Sequence, residues 1–347
     1  MIGKCQGIGL RSGHQSILST QKVDGIDFLE LSPENWMGLG GFKQVYLDKV
    51  ASIYPLIAHG LSLSIGGFQP LNKKFLNEIR VFLDDYNIEI YSDHLCFSDD
   101  DKGYLYDLLP VPREKENISY ICNRIEQVQE IIKRPLSLEN ISYYYQYDND
   151  MNELDFINAI LQRSGAKMLL DINNVYVNGH NHNYNAYEFI KGINKGSVSY
   201  YHIAGHYKKD DFILDTHGKD VIQEVKELAK FAVEQHGWHP MLLERDHFVP
   251  KLDDLVNELN SITNVIENMN ISESIKTKMQ NFTHAIRYDD SSDDRVQMYR
   301  EFIVGNVLSV LENTFPYFNK YASQELKDKI LKVFLRTIYH LSQHFIK

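Results

Sequence analysis

Eight short apolar segments, mostly separated by stretches with helical periodicity, constrain the fold of this chain more than any other feature. They are Gly7–Arg11, Phe28–Ser32, Leu56–Ala58, Ile88–Ser92, Pro135–Leu138, Met168–Leu170, Ser197–Tyr201 and Pro240–Leu243. Apolar strands that alternate with helices are typical of a parallel sheet covered on both faces. Eight such units within about 250 residues match the size of a closed barrel. The pattern therefore predicts an α/β protein with a (β/α)8 barrel.

The strand pattern stops near Ser272, and a helical pattern follows. We therefore predict two domains: residues 1–270 as the barrel, and residues 271–347 as a helical C-terminal extension. The extension contains an acidic segment at residues 289–294. A helix predicted over Arg295–Thr314 carries an apolar stripe, which indicates packing on the barrel or on another subunit. The residues of this stripe are Val296, Tyr299, Ile303, Val307 and Leu311.

Composition excludes several classes of partner. The formal net charge is -11, and no basic block is present, so the chain is a poor candidate for binding nucleic acid. Cys5, Cys96 and Cys122 are scattered, which argues against a disulfide framework or a thiolate zinc site. The N-terminal residues lack the apolar core of a signal peptide, and no apolar run is long enough to span a bilayer. We expect a cytoplasmic protein with no membrane partner.

Metal-ligand residue types close six consecutive predicted strands, from the third to the eighth. These residues are His59, His94, Glu139, Asp171, His202 and Glu244. A closed barrel directs its strand ends into one bowl, so these side chains are expected to converge. Three imidazoles and three carboxylates suit iron, manganese or zinc. They hold more carboxylate than one divalent ion requires, which favours two metals bridged by a glutamate. Each residue alone also has an ordinary structural explanation, such as a turn cap or an ion pair.

A second group of polar residues follows the sixth and seventh strands. It comprises Asn173, His206, Asp215 and His217. Asn173 lies two residues after Asp171, and His217 lies two residues after Asp215, so on extended backbone each pair shares one face. This quartet is expected either to bind another metal or to orient the ligands of the first group.

Taken in order, the motifs of the chain resemble one known family. The motifs are Phe28–Glu30, Glu34–Asn35, His59–Leu63, Ser92–Leu95, Leu109–Pro110, Leu138–Asn140, Leu170–Tyr176, His202–His206, Asp215–His217 and Glu244–Asp246. The chain resembles the multinuclear non-haem iron-dependent oxidases over roughly residues 5–255. This resemblance implies a TIM barrel that holds two or three iron ions. It also implies a reaction in which dioxygen oxidatively rearranges cysteines, among other residues, of a ribosomally made precursor peptide.

The resemblance further assigns ligands by motif position. His59, His94 and Glu139 would bind one iron. A neighbouring iron would be bound by Glu139, Asp171, His202 and Glu244, with Glu139 bridging. A third would be bound by Asn173, His206, Asp215 and His217. Glu139, Asp171 and Asn173 are also expected to take part in catalysis.

Members of this family commonly need a partner protein that presents the peptide, and the C-terminal helices resemble the opening helices of that partner. The expected partners are thus a precursor peptide and either a recognition protein or this fused helical equivalent. Two other functions remain open from the sequence. One is a divalent-metal barrel isomerase or phosphoesterase, similar to xylose isomerase or endonuclease IV. The other is a metal-binding scaffold that acts only with a partner and has no turnover of its own.

Overall fold

The computed structural model of the chain describes residues 4–267, 273–288 and 291–337. The chain divides into two compact units, Met1–Asn268 and Met269–Lys347. The predicted domain boundary between residues 270 and 271 lies outside the described residues. Residues 289 and 290 of the predicted acidic segment also lie outside them.

The first unit is built on a closed barrel of parallel strands, as predicted. Its strands, together with those of two hairpins, are β1 (Gln6–Gly9), β2 (Phe28–Leu31), β3 (Leu56–His59), β4 (Tyr91–His94), β5 (Phe97–Asp100), β6 (Gly103–Leu109), β7 (Leu136–Glu139), β8 (Lys167–Asp171), β9 (Val198–Ile203), β10 (His206–Lys209), β11 (Phe212–Asp215) and β12 (Met241–Leu243). The barrel order is β1-β12-β9-β8-β7-β4-β3-β2, and β1 closes the ring by pairing with both β12 and β2.

Helices follow most of the barrel strands and cover the ring. In the first unit they are α1 (Gln15–Leu18), α2 (Phe42–Ile53), α3 (Lys73–Asp85), α4 (Lys115–Ile132), α5 (Glu153–Ser164), α6 (Ile172–Asn181), α7 (Ala186–Gly192), α8 (Gln223–His236) and α9 (Leu252–Glu267). Helix α5 shows how local sequence sets the boundaries. The Asn152 side chain accepts hydrogen bonds from the first-turn amides, and Gly165 ends the helix at φ +69°, where a residue without Cβ is favoured.

A layer of fully buried side chains fills the barrel interior. It consists of Phe28, Ile57, Leu169, Tyr200 and Leu242. Side chains two residues apart on a strand share a face, so the residue two positions later on each strand also points inward, one layer nearer the C-terminal ends. These later residues are Glu30, His59, Asp171, His202 and Glu244. The apolar layer is therefore the floor on which the polar layer stands.

Two segments outside the eight predicted strands form antiparallel hairpins beside the barrel. Strands β5 and β6 pair with each other, and so do β10 and β11. Both hairpins carry many exposed residues and lack the continuous apolar run by which the barrel strands were predicted. Their pairing therefore had no strong signal in the sequence.

The second unit is helical within its described residues, with α10 (Glu273–Tyr288), α11 (Asp294–Thr314), α12 (Pro316–Tyr321) and α13 (Gln324–Thr337). In the predicted stripe of α11, Leu311 is buried, but Tyr299 and Ile303 are exposed. The expectation that this stripe packs on the barrel or on another subunit therefore stays a prediction. Within the described residues, no helix combines the length and apolar character that crossing a membrane requires.

Candidate metal centre

The barrel register brings the strand-end residues together in neighbouring pairs. His94 on β4 lies beside Glu139 on β7, and Asp171 on β8 lies beside His202 on β9. All six strand-end residues predicted from the sequence are buried. A parallel barrel places these ends on one side of the ring, so residues far apart in the chain, from His59 to Glu244, form one cluster.

His59, His94 and Glu139 form one compact part of the cluster. His59 Nε2 lies 3.1 Å from Glu139 Oε2, and His94 Nε2 lies 3.3 Å from the same oxygen. The two Nε2 atoms are 3.2 Å apart. Ligands that are each about 2.1 Å from one metal, at the usual coordination angles, are about 3.0–3.4 Å from one another. The three atoms thus have the spacing of one face of a coordination shell.

Glu139 also faces a second group of ligand-type residues. Its other oxygen, Oε1, lies 3.6 Å from His202 Nδ1, and that nitrogen is 3.0 Å from Glu244 Oε2. One ligand atom from each of Glu139, Asp171, His202 and Glu244 falls within a common span of 4.8 Å. A carboxylate with one oxygen toward each group has the geometry of a bridge between two metals.

Asp171 and Asn173 do not lie on one strand as predicted. Asp171 ends β8, and helix α6 begins at the next residue, so Asn173 lies on a helical turn and not on strand backbone. Asp171 Oδ1 caps this helix by accepting a hydrogen bond from the Asn174 amide at 2.6 Å. The helix cap leaves Asp171 Oδ2 directed at the centre. The expectation that the two residues share a strand face is therefore wrong.

The second predicted group forms a hydrogen-bonded chain. Asn173 Oδ1 accepts from His206 Nδ1 at 2.8 Å, and Asn173 Nδ2 donates to Asp215 Oδ1 at 2.9 Å. His217 Nε2 lies 2.7 Å from that same oxygen. The backbone at His217 is left-handed, with φ +48°, so the segment is not extended as expected. This turn directs His217 Nδ1 toward Glu244 Oε2 at 3.4 Å, whereas His206 lies on the far side of Asn173.

Several buried polar atoms at the centre make no regular hydrogen bond within the described residues, although other ligand-type atoms lie close to them. They are Glu139 Oε2, Asp171 Oδ2, His202 Nδ1, His217 Nε2 and Glu244 Oε2. Buried polar groups are normally satisfied, because an unpaired one loses its hydration without compensation. All five atoms are good ligands for a divalent cation. The donor set therefore fits bound metal ions.

Electrostatics in the centre follow from burial and from the mixture of charges. Burial lowers the pKa of His59, but the neighbouring Glu139 carboxylate outweighs this and raises it to about 9. Burial opposes ionisation of Glu139, yet His94 and His59 hold its pKa well below the usual range. Burial and the Glu139 charge raise the pKa of Asp171 well above its ordinary value. A divalent cation at these atoms would displace protons from the histidines and from Asp171.

The sequence analysis assigned no role to two acidic residues at the centre. Glu30 on β2 is buried and accepts a hydrogen bond from His202 Nε2 at 2.9 Å. Asp246 Oδ2 lies 3.0 Å from His217 Nδ1, and the two form a third ligand-type group with Glu244. Glu30 could have been recognised from the sequence, because it is the one charged residue in an otherwise apolar strand. Asp246 lies beyond the end of β12, where strand periodicity gives no signal.

The centre lies at the base of a cavity of about 970 Å³. His59, His94 and Glu139 contribute to its wall, and so do aromatic residues such as Trp36, Tyr104, Tyr106, Tyr144 and Tyr145. The space is large enough for several amino-acid residues of a peptide. Its mixed aromatic and polar wall suits an extended polypeptide segment.

Comparisons with known proteins agree with this geometry. A family model described as RiPP precursor modification enzyme MbnB/TglH/ChrH matches residues 5–267, RiPP meaning a ribosomally synthesised and post-translationally modified peptide. The chain is 42% identical over 257 residues to a UPF0276 protein of Shewanella sediminis, an alignment that covers 74% of this chain and 92% of the relative. A UPF0276 protein of Nitrosospira multiformis is 43% identical over 255 residues, which cover 73% of this chain and 90% of that protein.

Among solved structures, a putative xylose isomerase from Rhodospirillum rubrum aligns with a TM-score of 0.51 at 10% sequence identity. The alignment covers 78% of this chain and 100% of that one. At this low identity the similarity demonstrates a shared barrel fold and nothing about the reaction.

Proposed function

This chain belongs to the family of RiPP precursor modification enzymes, and from that premise we propose that it is an iron-dependent oxidase acting on its precursor peptide. The proposed reaction uses dioxygen and modifies cysteine residues of the peptide. The observation that carries the proposal is the position of Glu139, whose two oxygens face two adjacent groups of buried ligand atoms.

The side chains at the centre suit iron. Imidazole and carboxylate ligands without a protein thiolate accommodate iron, manganese and zinc. The preference for iron rests on the resemblance of the motifs to the iron-dependent oxidases. Bound iron would supply the redox chemistry that passes electrons from the peptide to dioxygen.

The protein's own residues hold the metals and position the reactants. We propose that His59 and His94 hold one metal with Glu139, and that Asp171, His202 and Glu244 hold its neighbour. For the third ion, we propose that His217 and Asp215 provide ligands, with Asn173 and His206 holding Asp215 in place or completing the shell. The aromatic wall of the cavity would hold the peptide against the metals and limit the access of water.

Metal analysis of protein purified without oxygen tests the proposal. We expect two or three irons per chain, with Mössbauer spectra that show coupling between them, because Glu139 would offer one oxygen to each of two adjacent ions. Glu139→Ala removes ligands from two sites at once and is expected to abolish the coupling and most of the bound iron. Glu234→Gln, an exposed charge change on α8, serves as the control and should leave both unchanged.

Stoichiometric zinc or manganese with negligible iron, after expression in iron-rich medium, would overturn the oxidase and favour an isomerase or phosphoesterase. Iron that is bound without oxygen consumption in the presence of the precursor peptide would instead favour a metal-binding scaffold.

A further inference from the structure

A continuous hydrogen-bonded chain runs beneath the metal centre and connects His59 to His202. His59 Nδ1 lies 2.8 Å from Ser92 Oγ, which lies 2.5 Å from the Tyr200 hydroxyl. The Tyr200 hydroxyl is 2.9 Å from Glu30 Oε2, and His202 Nε2 lies 2.9 Å from the same oxygen. All five residues are buried, so water does not compete for these hydrogen bonds.

The chemistry of the donors sets the direction of every bond in this chain. A carboxylate only accepts, so Tyr200 donates its single proton to Glu30, and His202 donates from Nε2. Ser92 must then donate to Tyr200, because the tyrosine proton is already committed. The serine oxygen in turn accepts from Nδ1 of His59. Each proton in the chain therefore points toward Glu30.

This direction determines which nitrogen of each imidazole faces the metals. With a metal bound, His59 would keep its proton on Nδ1 and present Nε2 beside Glu139 and His94. In the same state His202 would keep its proton on Nε2 and present Nδ1 beside Glu139 and Glu244. The two histidines use opposite nitrogens, and each uses the one that lies among the other ligand atoms.

We propose that Glu30 is a positioning residue that sets the imidazole tautomers of two metal sites, directly at His202 and through Tyr200 and Ser92 at His59. The inference rests on the proposed function only in that both histidines bind metal; it does not require iron or dioxygen. Without the Glu30 carboxylate, neither ring has a fixed acceptor for its outer proton. Each would then exchange between a binding and a non-binding tautomer.

The hydrogen-bonded chain also predicts that different variants affect different numbers of metal sites. Removing Glu30 affects both sites, whereas removing the Tyr200 or Ser92 hydroxyl interrupts only the branch to His59. A matched control is available on the same strand: Tyr201 is equally buried, and its hydroxyl donates to the Gly237 carbonyl at 2.8 Å, outside the chain. Tyr201→Phe therefore loses a comparable hydrogen bond without touching either imidazole.

The test uses Zn²⁺, which has no redox chemistry, on the full chain. Competition with a chromophoric chelator measures the affinity of each site, and 15N NMR of labelled histidine rings reports which nitrogen carries the proton. We expect Glu30→Leu, which removes both carboxylate oxygens, to weaken two zinc sites by about tenfold to a hundredfold. Tyr200→Phe and Ser92→Ala should weaken one site by a similar factor, and Tyr201→Phe should weaken neither.

A wild-type zinc complex with the proton on Nε2 of His59 or on Nδ1 of His202 would overturn the inference. Equal zinc affinities for Tyr200→Phe and Tyr201→Phe would do the same. If Glu30→Leu fails to fold, the two hydroxyl variants still decide the branch to His59. Zinc binding as expected, combined with a failure to bind iron, would leave this inference standing and remove only the proposed oxidase.

Discussion

At the residue scale, neighbouring carboxyl groups differ in protonation according to what surrounds them. Glu139 is held ionised by histidines on two sides, whereas Asp171, close by, is pushed toward its neutral form by burial and by Glu139. A metal centre uses both, because the cations replace the charges that the protein cannot balance alone. Glu153, away from the centre, shows what burial does where no cation is expected. Burial raises its pKa to about 7, although Arg113 opposes the shift.

Glu153 therefore predicts a pH-dependent contribution to stability. Its folded pKa exceeds its unfolded pKa, so the folded state holds an extra proton between the two values. The contribution is complete below about pH 4.5 and is lost as the pH rises through about 7. We expect the unfolding free energy of wild type, relative to Glu153→Gln, to fall by up to about 3 kcal/mol over this range.

Urea unfolding of both proteins at several pH values measures this difference. Glu234→Gln, at an exposed position, is the control for the loss of one carboxylate. A difference between wild type and Glu153→Gln that does not change with pH would show that Glu153 has a similar pKa in the folded and unfolded states.

At the element scale, the β5–β6 hairpin has an irregularity that faces the cavity. Asp99 pairs with Tyr104 and Phe97 pairs with Leu109, so four residues of β6 oppose the single Ser98. Within this bulge Tyr106 has φ +59°, a strained conformation for a residue with a Cβ, and its side chain is 88% exposed. Bulges of this kind redirect side chains near binding sites, and Tyr106 lines the cavity.

We predict that Tyr106 contacts the bound precursor peptide. Tyr106→Ala should raise KM for the peptide by about threefold to tenfold, the equivalent of one aromatic contact, with little change in kcat. Tyr207→Ala is the matched control, because Tyr207 is an exposed tyrosine on the other hairpin and does not line the cavity. Equal KM values for the two variants would exclude a role for Tyr106 in peptide binding.

At the scale of the whole molecule, the barrel is complete without the second unit. Every strand of the ring lies between Gln6 and Leu243, and α9 ends at Glu267. The family model matches residues 5–267, a range that contains every strand of the ring and ends with α9. The helical second unit lies outside this match, and its role in presenting the peptide stays a prediction.

We therefore predict that a chain ending at residue 267 folds and keeps the metal content of the full protein. Modification of the precursor peptide should fall at least tenfold if the second unit contributes about 1.4 kcal/mol or more to peptide binding. Metal analysis and peptide turnover of the truncated chain, with and without the separate C-terminal segment, measure the two effects. Undiminished turnover would show that the second unit has no part in substrate presentation.

Local sequence patterns were sufficient to predict the barrel and most of the candidate centre. Strand periodicity and the polar residue closing each strand are local properties, and a parallel barrel must bring such ends together. For this reason candidate metal ligands could be proposed from their positions at the ends of apolar segments. They are His59, His94, Glu139, Asp171 and His202. The family resemblance added the proposed metal and the reaction.

The local backbone at the centre and the hydrogen bonds between its residues depend on tertiary contacts. Whether Asn173 continues a strand or starts a helix depends on the cap that Asp171 makes, and the left-handed turn at His217 is accompanied by a hydrogen bond from the Asp246 amide to the His217 carbonyl at 3.1 Å. Glu30 is part of the centre because its carboxylate accepts a hydrogen bond from His202, which is 172 residues away in the sequence. Hydrogen bonds between distant residues depend on distances and angles that strand periodicity does not encode, so the tautomer-setting chain could be recognised only in three dimensions.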